Sequence, residues 1–505
     1  MTAVASEAEG LRWGTSQGRG ALAATVLGSS LTFLAATSIT VALPALAEDL
    51  DADVATLSWT VNAYTLTLAA LVLLGGSLGD RFGRRRLFVI GTVWLTVTSL
   101  ICGLAPNAEA LIAARALQGV GGALLTPASL AILQASFVAS DRSKAVGAWS
   151  GLAGVATAIG PLVGGWMVDT WSWRLVFLVN VPLALVVLLL TVKFVPETRS
   201  PSDKRLDFTG AALAALGLGG TTYALTGLGD QMSMQSWLVG AAGLVAMVAF
   251  VLYERSSSHP MVPLGVFRNR QFTGANVVTF AVYGVLGSTF FLLSVQLQVV
   301  LGYSPVLAGA AELPVTVLML LLSAYAGSLA ERIGPRLPMT VGPLVIAASL
   351  VLLAGAGEGS SYLTGVLPGI VLLGLGLSAT VAPLTATVLA AVDESMVGVA
   401  SGVNNAVARA AGLFTVAALP AIVGLTQGSV LQNPAEFSSG FRAAMFLSAG
   451  MAALGGLLAW VTIRNKLQDD RHACPSSRVH ARVHCAVDST PPAGDGDADR
   501  FRRAA

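Results

Sequence analysis

Long apolar runs alternate with short polar connections from near the start of the chain almost to its end. Fourteen such runs can be drawn, over 21–46, 58–78, 87–105, 109–132, 145–168, 174–194, 208–229, 235–253, 272–298, 306–328, 338–355, 362–390, 400–424 and 441–463. Most are close to the roughly 20 residues that carry a helix across a hydrocarbon core about 30 Å thick. Gly and Pro interrupt several runs in the last third. A membrane helix tolerates this when its neighbours re-satisfy the freed backbone groups. The pattern predicts an all-α membrane protein with fourteen transmembrane helices.

Composition narrows the class further. Of 505 residues, 54% are hydrophobic and only 11% are Asp, Glu, Lys or Arg. A soluble domain carries roughly 25% charged residues, so this chain has too little polar surface to cover its apolar content. Disorder of the whole chain is excluded by the same numbers. Three Cys cannot build a disulfide framework. His472, Cys474, His480, His484 and Cys485 crowd into the last forty residues. They lack a tight Cys pair, so this tail, 464–505, is read as disordered and cytoplasmic rather than as a metal site.

The polar connections carry charge unevenly. With the N-terminal segment 1–20 in the cytoplasm, the inner connections hold Arg81, Arg84, Arg85, Arg86, Arg142, Lys144, Lys193, Arg199, Lys204 and Arg205. They also hold Arg255, Arg268, Arg270, Arg332 and Arg336, whereas the outer connections hold only Arg174 and Arg442. The first outer loop is acidic, with Glu48, Asp49, Asp51 and Asp53. An excess of inner Lys and Arg predicts an even number of spans and two cytoplasmic termini. No cleavable signal peptide is expected, because the opening segment lacks a strong cationic region and the first apolar run is too long.

One segment occurs twice. Gly76, Leu78, Asp80, Arg81, Gly83 and Arg85 recur about 250 residues later as Gly327, Leu329, Glu331, Arg332, Gly334 and Arg336. Both copies close one span and open the next. The repeat predicts a duplicated chain, with six-helix bundles over 21–194 and 272–463. A linker, 195–271, would hold two additional helices. Repeats of this kind commonly place a substrate site between them.

These residues carry a resemblance. Gly76, Leu78, Asp80, Arg81, Gly83, Arg84 and Arg85 are similar to the loop signature of the major facilitator superfamily. Arg115, Gln118, Gly119, Gly121 and Ala123 look like its fourth-helix signature. Gly147, Gly160, Pro161, Gly164 and Gly165 look like the fifth-helix signature of its exporters, with Ala156 at a position usually held by Gly. Ser58, Trp59 and Tyr64, and Ala42-Leu43-Pro44 closing the first span, fit the same group. Over roughly 20–464 the chain resembles the fourteen-helix drug:proton antiporters of this superfamily. The resemblance implies a multidrug exporter of the plasma membrane with no cofactor. The proton gradient would be its energy source, and alternating access between the two bundles its mechanism.

It also implies roles. Asp80, with Arg81 and Arg84, would form a latch between the halves, with Glu331 and Arg332 as its counterpart. The glycines Gly76, Gly79 and Gly83 would allow close approach and a tight reversal. Gly160, Pro161, Gly164 and Gly165 would seal the external side. Arg115 would influence proton transfer. A buried Arg in a span is costly and should face the bundle interior, where Gln118 shares its face. Arg409 is the other basic residue within a run and is read as lying near a span start.

The carboxylates depart from the resemblance. Drug antiporters of this group usually carry an acid in the first span, and Ala35 stands in its place. Glu312, inside an apolar run, is the remaining candidate for proton coupling. Asn62, Tyr64, Gln118, Tyr283, Gln296, Asn404 and Asn405 are candidates for lining a substrate cavity, although each could tie helices together instead. The expected partners are the lipid bilayer, a small amphipathic organic cargo and protons. No nucleic acid is expected, and the chain should be a monomer. A membrane-embedded enzyme would need a constellation of acids, His or metal ligands, and no His lies in a span. A dedicated exporter or importer of one metabolite, and a non-transporting scaffold or sensor, are the remaining alternatives.

Overall fold

The computed structural model describes residues 10–465 apart from 200–205, 230–232, 259, 394–395 and 427–429. The tail with its His and Cys residues, and Lys204 and Arg205, lie outside the described residues. We number the spans α1 (Ser16–Thr37), α2 (Val54–Phe82), α3 (Arg84–Gly103), α4 (Ala108–Ser136), α5 (Ala139–Thr170), α6 (Asn180–Phe194) and α7 (Phe208–Thr226). They continue as α8 (Met234–Ser256), α9 (Arg270–Val295), α10 (Pro305–Ile333), α11 (Arg336–Leu353), α12 (Leu367–Ala390), α13 (Val397–Ile422) and α14 (Pro434–Thr462). Thirteen described helical segments are long and apolar enough to cross a membrane. With the 32-residue α5 they make fourteen.

Several helices outrun the apolar stretches because polar caps lie beyond the hydrocarbon limits. Asp53, Asn107 and Asn433 accept from the backbone N–H of Thr56, Ala110 and Glu436, satisfying donors left open in the first turn. α14 therefore starts seven residues before the apolar run. The first span departs from expectation in another way. Ala42-Leu43-Pro44 does not close it: Leu43 and Pro44 open a further short helix, Leu43–Leu50, with Pro in its first turn. The missing N–H of Pro costs nothing there.

Hydrophobicity is distributed as in a lipid solvent. Leu189 is 72% exposed, Val461 74% and Leu321 67%, all on spans. Such faces are stable only against acyl chains. Inside the bundles, helices approach through small residues. A Cβ on Gly75 would run into the backbone of Ala123, which draws α2 against α4. Hydroxyls inside the spans bond their own helix, as Thr92 does to the carbonyl of Phe88 and Thr191 to that of Val187.

α1–α6 pack among themselves and α9–α14 likewise. The two groups meet along two pairs, α2 with α13 and α5 with α10. The inserted pair, α7 and α8, is held by the close approach of Gly220 and Gly243. α7 rests on α2 and α13 through Leu218, which packs with Ala69, Ala70 and Leu413.

Candidate functional site

The duplicated loops are built alike. Gly83 and Gly334 take φ of 109° and 88°, a region that disfavours side chains, and each lets a long helix reverse into the next span. Beyond Gly83, the carboxylate of Glu197 accepts from the N–H groups of Arg85 and Arg86, 3.2 Å each, at the start of α3. In the second half the side chain of Asn465 accepts from the N–H of Arg336 at 3.2 Å. An acceptor at a helix N-terminus is favoured by the open donors and the dipole. Neither acceptor was singled out by motif, yet a signal existed: Glu197 and Asn465 each stand three residues past the end of the last span of their half.

Within the first loop Arg84 donates twice to Asp80, from Nε at 3.0 Å and from Nη2 at 2.8 Å. The pair lies within one half, and no ion pair among the described residues joins Asp80 to the other half. Glu331 and Arg332 are exposed, and neither joins the ion pairs among the described residues. Gly76 needs correction as a close-approach residue. A Cβ there would make ordinary contact with Pro127 at 3.6 Å, whereas its neighbour Gly75 has no room for one. Gly147 likewise faces open space.

Arg115 sits two turns into α4 and is fully buried. It does not snorkel. Its Nε donates to the carbonyl of Thr60 at 3.0 Å, and its Nη1 to that of Ala35 at 2.8 Å and to Gln118 Oε1 at 2.6 Å. Gln118 in turn donates to Ser99 Oγ at 2.8 Å. One guanidinium thus ties α1, α2, α3 and α4 together. Its Cζ stands 4.6 Å from the centre of the Tyr64 ring and 5.8 Å from that of Phe177, in cation–π range. The Tyr64 hydroxyl donates to the carbonyl of Thr32 at 3.1 Å. Ala35, where the drug-antiporter pattern has an acid, therefore offers Arg115 only its backbone.

The seam between the halves is closed on the side that loop charge assigns to the exterior. Gly160 lies against Thr37 and Gly164 against Ser38, in the break after α1. A Cβ on Gly165 would stand 2.7 Å from Val306 Cα, and one on Gly309 would stand 2.7 Å from the carbonyl carbon of Pro161. Hydrogen bonds reinforce the closure. Ser294 Oγ donates to the carbonyl of Thr40 at 3.0 Å, and Gln298 Nε2 to that of Val41 at 3.2 Å.

Glu312 follows Gly309 by three residues on α10, one turn inward of this closure. It is 7% exposed and its Oε1 has no hydrogen-bond partner. Tyr362 donates its hydroxyl to the neighbouring carbonyl of Ala311 at 3.1 Å.

The other candidates divide. Asn62 is buried with its Nδ2 unpartnered, and Tyr283 is half-buried. Gln296 is buried at the end of α9, donating to the carbonyl of Ala356 at 2.7 Å, so its bonds tie helix ends together. Asn404 ties α13 to α9 through Thr279 Oγ1 at 2.7 Å and Asn276 Oδ1 at 3.2 Å. Asn405 is exposed and bonds Ser401 of its own helix. Arg409 needs correction. Because α13 runs from Val397 to Ile422, Arg409 stands midway along it and not near its start.

Comparison with known proteins agrees with this architecture. Residues 25–417 match the model of the Major Facilitator Superfamily. The chain is 36% identical over 394 residues to the multidrug resistance protein Stp of Mycobacterium tuberculosis (strain CDC 1551 / Oshkosh), covering 76% of this chain and 72% of that one. It is 33% identical over 427 residues to the tetracenomycin C resistance and export protein of Streptomyces glaucescens, covering 82% and 77%. In three dimensions it is similar to a bacterial homologue of the human lysosomal transporter Spinster in an inward-facing, occupied conformation. That TM-score is 0.65 over 90% of this chain and 99% of the other, at 15% identity, a likeness of fold.

Proposed function

The chain belongs to the Major Facilitator Superfamily, and on that premise we propose that it exports small amphipathic organic compounds, drugs or antibiotics among them, in exchange for protons. The bundles 21–194 and 272–463 are the moving halves, joined by the linker 195–271. The protein works as a monomer in the plasma membrane with both termini cytoplasmic. Similarity to proteins named for multidrug resistance and for export supports the cargo class.

The observation that carries the coupling is the placement of Glu312. A buried carboxyl with one oxygen unpartnered lies one turn from the helix seam that must open to release cargo. Opening the exterior would bring water and protons to this carboxyl, and closing it would shut them out, which is the physical content of coupling. Arg115 influences proton transfer from a fixed place, held where four of the six helices of the N-terminal half meet. Asp80 and Arg84, with Glu331 and Arg332, gate the cytoplasmic side.

The test is flux into or out of liposomes holding the purified protein, under an imposed proton gradient and over a panel of cargoes. Glu312→Gln keeps shape and hydrogen bonding but cannot titrate. Uphill accumulation should collapse while downhill exchange persists. Equal accumulation by variant and wild type removes Glu312 from the coupling.

A further inference from the structure

We propose that the centre of the seam takes its cargo through an acidic group, a carboxylate or an ionised phenol, received by the guanidinium of Arg409. The proposal rests on the export reading and names the class of compound carried.

Arg409 lies midway along a membrane-spanning helix, where an ionised side chain is costly and needs a partner. It has none of the usual ones. Its Nε is buried without a hydrogen-bond partner, and none of the ion pairs among the described residues involves it. Its place on the helix points it at the seam. Gly402, seven residues earlier and so on the same face, lies against Leu73 of α2 in the opposite half. On the α9 side, α13 is held by Asn404 and by Thr415, which donates to the carbonyl of Gly284 at 2.6 Å. Among the described titratable residues, Tyr64, from the N-terminal half, and Tyr283, from the C-terminal half, interact electrostatically with Arg409.

The surroundings add to the positive charge. Across Tyr64 stands the second buried guanidinium, Arg115, whose bonds go to two carbonyls and an amide and whose Nη2 is also unpartnered. Neither Arg meets a carboxylate among the described residues. The first-span position beside Arg115 is Ala35, which brings no charge. Around Tyr64 there are therefore two guanidinium groups, and the buried carboxyl of α10, Glu312, forms an ion pair with neither of them. A cationic cargo is repelled there. An anionic cargo supplies what Arg409 lacks, and the flat guanidinium fork suits two carboxylate oxygens.

The experiment uses the full chain in lipid nanodiscs and three compounds of one ring system: anthracene-9-carboxylate, anthracene-9-carboxamide and 9-aminomethylanthracene. Binding is measured by equilibrium dialysis, with empty nanodiscs subtracted. The carboxylate should bind about tenfold or more tighter than the amide, the factor expected of a charged hydrogen bond, and the amine should bind weakest. Arg409→Gln should abolish the preference and Arg409→Lys should keep part of it. A wild type that binds amine or amide as tightly as carboxylate overturns the proposal, whether or not the Gln variant folds. A carboxylate preference that survives in folded Arg409→Gln overturns it too. The two readings separate on flux. Gradient-driven transport of the amine alongside equal affinities would leave export standing and remove the anionic cargo. Tight, Arg409-dependent carboxylate binding without gradient-driven flux of any compound would do the reverse.

Discussion

Replacing Gly309 with Ala adds one methyl group where the two halves touch. A Cβ at this position would lie 2.5 Å from the carbonyl oxygen of Pro161, 2.7 Å from its carbon and 3.1 Å from the nitrogen of Leu162. All three are backbone atoms of α5, so no side chain can rotate away. Restoring ordinary contact requires α5 and α10 to separate by roughly an ångström, in line with the cost of overpacking, about 1–3 kcal/mol. The penalty applies only while the external seam is closed. It therefore shifts the balance between closed and open exterior by a factor of about 5–150. Spin labels on the outer ends of α5 and α10 would report it as a longer distance in the variant. Cargo efflux should slow as well, because the closed exterior is needed to reset the cycle. Gly147→Ala is the control, the same chemical change on α5, the helix that Gly309 touches, with nothing within 4 Å of the new atom. An unchanged distance distribution in folded Gly309→Ala, or an equal change in Gly147→Ala, would refute the reasoning.

Asp80→Asn should leave folding intact, since a single ion pair whose carboxylate is 43% exposed contributes about 1 kcal/mol or less, yet should slow initial efflux. An unchanged rate with normal expression would leave the acid no part in the cycle. Arg115→Lys removes the fork that reaches α1, α2 and Gln118 together. A loss of about 1–3 kcal/mol, from acceptors left buried and unpaired, should lower the thermal unfolding temperature in detergent and reduce flux, and an unaltered melt would contradict the tie. A single Cys at Glu358 should be labelled from outside intact cells by an impermeant thiol reagent, and labelling only from the cytoplasmic face would overturn the orientation and the span count together.

The sequence by itself determined the membrane class and the helix order, and it offered the duplication as a reading. These follow from local quantities: run length against hydrocarbon thickness, loop charge, and Gly and acid positions at fixed offsets. It also singled out Arg115 and Glu312, because an ionised residue in an apolar run stands out without any structure. What it could not supply was partnership. Arg115 bonds carbonyls of Ala35 and Thr60, and any residue type presents such groups. Glu197 and Asn465 reach their helix N-termini only after a whole bundle has folded, although their common offset from the final spans was there to be noticed. The tertiary structure alone separated Gly75 from Gly76, and Gly309 from Gly147, because room for one methyl group depends on a neighbour far away in the chain. It also moved Arg409 from a helix end to the middle of α13. Burial and facing are set by how helices pack, whereas composition records only that a charge is present.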